Sequence, residues 1–66
     1  MGKVRRSGYT FIWWLGDHRP RHVHVFDKAD RLITRVNLET MQPMDIPRIS
    51  REVLALIDEL RNEGRL

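Results

Sequence analysis

The stretch RHVHVF, Arg21 to Phe26, alternates apolar and polar residues with a period of two. Successive side chains of a β-strand point to opposite faces, so Val23 and Val25 share one face while His22, His24 and Phe26 share the other. The valine face reads as core. The other face carries two imidazoles, and the rest of the chain decides whether anything covers them.

Upstream, Gly16-Asp17-His18-Arg19-Pro20 reads as a turn or loop. Before it, Tyr9-Thr10-Phe11-Ile12-Trp13-Trp14-Leu15 is rich in aromatic and β-branched residues, as strands are. Its two faces are both mostly apolar, which predicts a central strand covered on both sides. Lys3 to Ser7 fits a short edge strand, with Gly8 free to turn. Downstream, Asp27-Lys28-Ala29-Asp30 fits a hairpin turn. Arg31 to Leu38 is the next strand, with Leu32, Thr34, Val36 and Leu38 on one face and Ile33, Arg35 and Asn37 on the other.

Met41 to Pro47, with prolines at 43 and 47, reads as irregular. Ser50 is then a good helix N-cap, flanked by Ile49 and Leu54 as a hydrophobic staple. Val53, Leu56, Ile57 and Leu60 follow the i, i+3, i+4, i+7 pattern, and Gly64 ends the helix. These readings predict an α+β fold: a small antiparallel sheet of three to four strands, about 3–7, 9–15, 21–27 and 31–38, with one C-terminal helix, about 50–63, packed on one face. One helix covers one face. The open face then presents His22, His24, Phe26, Ile33, Arg35 and one of the two tryptophans, Trp13 or Trp14. Trp14, Phe26 and Ile33 are the expected interface residues.

At 66 residues the chain is expected to form one domain. A chain this short buries only about 60% of its unfolded surface, and such domains often add a metal, a disulfide or a partner subunit. The absence of cysteine excludes disulfides and zinc–thiolate sites. No apolar run approaches the roughly 18 residues of a membrane span, and Met1 to Ser7 lacks the apolar segment of a signal peptide. A soluble, cytoplasmic protein, homo- or hetero-oligomeric and without a membrane partner, is the expectation.

Charge is uneven. Residues 1–36 carry eight Lys/Arg against three Asp, and residues 37–66 carry four Arg against six Asp/Glu. Ten of the twelve basic residues are arginine, which suits bidentate contact with phosphate or carboxylate. A nucleic acid or an acidic protein is therefore the expected partner, with Arg19, Arg21, Arg35, Lys3, Arg5 and Arg6 as candidate nucleic-acid contacts.

The three histidines allow three readings. Imidazole titrates near pH 6.5 in general, so His18, His22 and His24 are candidate acid–base groups for metal-free RNA cleavage. The same three, with Asp17 or Asp27, are the alternative ligand set for a metal. In the third reading the rings pack on a tryptophan or line a subunit interface. No cofactor is expected.

Gly8-Tyr9-Thr10-Phe11, followed by Asp17-His18-Arg19-Pro20-Arg21-His22-Val23-His24-Val25, resembles the bacterial and archaeal Domain of Unknown Function 4160 family. That family's signature is an aromatic strand led by Gly-Tyr, then Asp/Glu-His-x-Pro-x-His-Val-His-Val. The likeness covers roughly residues 5–38 and is followed by a Ser-led amphipathic helix, as in the family. Arg21 departs from it, since many members have proline there. Members are often encoded beside a second small protein in a pairing like a toxin–antitoxin module. The resemblance implies that this chain is a toxin-like component with a small antitoxin protein encoded nearby. It assigns no catalytic residue.

Overall fold

The computed structural model describes residues 1–14 and 21–66. Its elements are β1 (Gly2–Arg6), β2 (Tyr9–Trp13), β3 (His22–Phe26), β4 (Leu32–Asn37), β5 (Gln42–Pro43) and α1 (Arg51–Asn62). The strands form one antiparallel meander in the order β1-β2-β3-β4-β5.

Three of the connections have a local cause. Between β1 and β2, Ser7 and Gly8 both have positive φ, 54° and 85°. That pair of left-handed residues is what a two-residue hairpin of the primed type requires. Between β3 and β4, Asp27 Oδ1 accepts from the backbone N–H of Ala29 at 2.8 Å and of Arg31 at 3.0 Å. After β4, Asn37 Oδ1 accepts from the N–H groups of Glu39 and Thr40, and the Met41 N–H donates to the Asn37 carbonyl at 2.7 Å. Short Asx side chains close turns in this way because they imitate a backbone acceptor.

That last turn produces the main departure from the sequence reading. Among the described residues the sheet has five strands rather than three to four, because Gln42 and Pro43 pair with Asn37 and Val36 inside the segment expected to be irregular. Pro43 is tolerated because β5 is an edge. The other strands sit close to expectation: β1 keeps its length but is shifted by one residue to Gly2–Arg6, and the other three are shorter. Ser7 leaves β1 for the turn, β2 ends at Trp13, and Asp27 leaves β3 to close its hairpin. Ser50 and Glu63 are the caps of α1 rather than part of it, and the Ser50 hydroxyl accepts from the Val53 N–H at 3.3 Å.

One layer of core lies between sheet and helix. Phe11, Val23, Val25 and Val36 from the strands meet Val53, Leu56, Ile57 and Leu60 from α1, with Leu38 beside them. Ile49 and Leu54 pack against its margin, where a staple would sit. Among the described residues no second helix covers the other face, so β2 has strands on both edges but a packed layer on one side. Among the described residues no helix is long and apolar enough to cross a membrane.

A bulge between Val25 and Phe26 changes one further detail. It sets Leu32 opposite Phe26, while Val25 stays opposite Thr34. Leu32, expected in the core, is 52% exposed. Ile33, expected on the open face, is half-buried and packs against the core margin. Thr34 takes the buried place instead, and its hydroxyl is satisfied by donating to the Arg35 carbonyl at 2.9 Å.

Candidate functional site

Opposed residues of an antiparallel ladder share a face, so the register alone maps the open side of the sheet. One row across it reads Lys3, Ile12, His24, Arg35. The next reads Arg5, Thr10, Phe26, Leu32. On the other flank lie His22, Asn37 and Gln42. Val23 and Val25, between these positions, are fully buried on the helix side. The imidazoles therefore face away from α1.

Within this surface the aromatic groups cluster. The rings of His22 and His24 lie 5.1 Å apart, centroid to centroid. Trp14 meets His24 edge-on at 4.8 Å and is itself 40% exposed, so Trp14 is the tryptophan of the open face. Trp13 packs against the core on the other side. Nδ1 of His24 is buried.

The six candidate cations separate. Lys3 and Arg5 stand exposed on the open face, on the edge strand. Arg35 shares that face but is clamped by Asp45: its Nη2 donates to Oδ1 at 2.8 Å, its Nε to Oδ2 at 3.1 Å, and its backbone N–H to Oδ2 at 2.8 Å. These bonds, those of the Arg35 guanidinium foremost, hold the Asp45 carboxyl well below the usual carboxylate range. The same bonds raise the affinity of Arg35 for its proton. Arg6 alternates to the helix side, where Nη1 and Nη2 donate to Glu63 at 2.7 and 3.1 Å and Glu59 lies 3.8 Å away. The Arg6 hydrogen bond lowers the Glu63 carboxyl in turn. Arg21 also alternates to the helix side and lines a cleft of about 430 Å³ with Leu38, Glu39, Arg61 and Leu66. His18 and Arg19 lie outside the described residues.

The structure thus brings together His22, His24, Trp14, Phe26, Lys3, Arg5 and Arg35, and sets Arg6, Arg21 and Ile33 apart from them. Sequence reading missed Ile12, which joins Lys3 to His24 in one row, and Asp45, which occupies Arg35. Ile12 was legible as an even-numbered member of the Tyr9–Trp14 run. Asp45 was not, because its approach depends on β5. Two imidazoles 5.1 Å apart can supply two ligands to an ion, but among the described residues no three His, Cys, Asp or Glu groups gather to hold one. Chemically, the cluster offers paired proton carriers, aromatic faces for stacking and two exposed cations. Compared with known protein families, with curated proteins and with solved structures, the chain matches none of them.

Proposed function

We propose that this chain is the toxin-like member of a bacterial toxin–antitoxin-like pair and acts on RNA in the cytoplasm through the open face of its sheet. The observation that carries the reading is the His22–His24 ring pair, 5.1 Å apart on a face that also bears Trp14 and Phe26 and the cations Lys3 and Arg5. Single-stranded RNA is bound by such surfaces through base stacking on aromatic rings and phosphate contact with cations. The motif likeness of Gly8–Phe11 and Asp17–Val25 to the Domain of Unknown Function 4160 family supports the two-protein setting.

In this reading one imidazole takes the proton of a ribose 2′-hydroxyl, whose oxygen attacks the adjacent phosphorus. The bond from phosphorus to the 5′-oxygen breaks, and a protonated imidazole donates to that leaving oxygen, which gives a 2′,3′-cyclic phosphate. Lys3 and Arg5 hold the phosphate chain, and Arg35 contributes when Asp45 yields it. His18 and Arg19, which precede β3 in the sequence, are the further candidates. Purified protein incubated with RNA in chelator between pH 5 and 8 tests this. Cleavage is expected for the wild type and is expected to fall at least a hundredfold in His22→Ala/His24→Ala. No cleavage by the folded wild type, together with harmless expression in cells, rejects the reading.

A second reading has its own observation. Leu32, 52% exposed, lies opposite Phe26, and Trp14, 40% exposed, stands against His24 on the same face. Exposed apolar side chains gathered on one face mark a surface that another chain covers. On this reading the chain is a non-enzymatic binding module, a homodimer or a complex with a small partner protein. Sedimentation of a folded, RNA-inactive protein as a dimer would favour it.

A further inference from the structure

The sheet has two edges, and they differ. The β5 edge is two residues long and contains Pro43, and the chain beyond it is fastened back by the Met44 N–H donating to the Arg35 carbonyl at 2.8 Å and by the Asp45 clamp. The β1 edge is five residues long, and among the described residues nothing pairs with its outer side. An unpaired edge of this length offers a row of backbone donors and acceptors to an incoming strand.

From this geometry we infer that the outer edge of β1 accepts an extended acidic segment of a partner protein as a sixth strand. The side chains of β1 specify the segment. Lys3 and Arg5 stand exposed on the open face, so residues opposite them would be Asp or Glu. Val4, between them, is half-buried against the core margin, so the residue opposite it would be apolar. Trp13 flanks that side: a Cβ on Gly2 would overlap its indole, which places the ring across the start of the strand. The segment therefore reads acidic-apolar-acidic over three positions. A second copy of this chain is disfavoured by the same residues. In the two-fold antiparallel arrangement centred on Val4, Lys3 of one copy would lie opposite Arg5 of the other, and like charges directly opposed repel. Arg6 does not alter the balance, because Glu63 already engages it.

This docking needs no RNA chemistry. Where the RNA reading also holds, the acidic strand would neutralise Lys3 and Arg5 and compete with the phosphate chain.

The experiment uses the whole chain and two synthetic peptides of alternating Glu and Val, or alternating Lys and Val. Amide exchange by nuclear magnetic resonance reads the site without reference to cleavage. The Glu peptide is expected to bind and to slow exchange at every second amide of β1, and the Lys peptide to bind at least tenfold more weakly. Lys3→Glu/Arg5→Glu is expected to reverse the preference. The peptide comparison on the wild type stands even if that variant does not fold. Equal binding of both peptides, protection at β5 or at the histidines in place of β1, or no binding overturns the inference. So does a dimer of the chain alone with β1 protected, or a single-stranded oligonucleotide that protects β1 when the Glu peptide does not.

Discussion

Asp45 shows how much one carboxylate can organise. It holds the guanidinium and the backbone of Arg35, and its own N–H donates to the Thr34 hydroxyl at 3.2 Å. Its carboxyl titrates lower in the folded chain than in the unfolded one, where about 3.9 is usual. The sign follows from linkage. The contribution is complete above the unfolded value and is lost as pH falls toward the folded one. Asp45→Asn is therefore expected to be less stable than wild type at neutral pH and to lose less stability between about pH 5 and pH 2. Urea melts at a series of pH values check this, and parallel curves for the two proteins would refute it. Glu63, held by Arg6 in the same direction, leaves a residual slope in the variant. The effect is modest because both partners are partly exposed to screening solvent.

At the scale of elements, α1 depends on its first turn. The Ser50 hydroxyl satisfies the Val53 N–H, which would otherwise face solvent without an intrahelical acceptor. Ser50→Ala is expected to cost about 1 kcal/mol, read as a lower urea midpoint with an unchanged slope. Helix and cap were both legible beforehand, because their residue types and spacing are local. So was the alternation through Arg21–Phe26, which put the valines under α1 and the histidines opposite. The bulge after Val25 was not. It exchanges Leu32 and Ile33 between faces, yet nothing in Arg31-Leu32-Ile33-Thr34 marks it, since a bulge is set by the pairing of two strands. Nor was β5, whose two residues include a proline. The Asn37 turn was the available sign of it. Of the candidate site, parity assigned His22, His24, Phe26 and Arg35 correctly to the open face. It could equally have set Arg6 and Arg21 on the helix side, had each been counted with its own strand.

For the molecule as a whole, size governs the outcome of core changes. At about 0.05–0.15 kcal/mol per residue, a chain of this length has roughly 3–10 kcal/mol of stability in total. Phe11 is fully buried and bridges Val4 on β1 and Val25 on β3 by register. Removing a buried Phe side chain costs about 3–5 kcal/mol, so Phe11→Ala is expected to remove roughly a third or more of the total stability and to lower the melting temperature sharply. Circular dichroism of the variant checks this, and a native-like melt would refute it. The strand order has a kinetic consequence. Every strand pairs with its neighbour along the chain, so no strand must wait for a distant partner to arrive. Such local pairing shortens the search that folding must make and favours a fast rate. The helix, last in the chain, packs on the valine side of that sheet and completes the core.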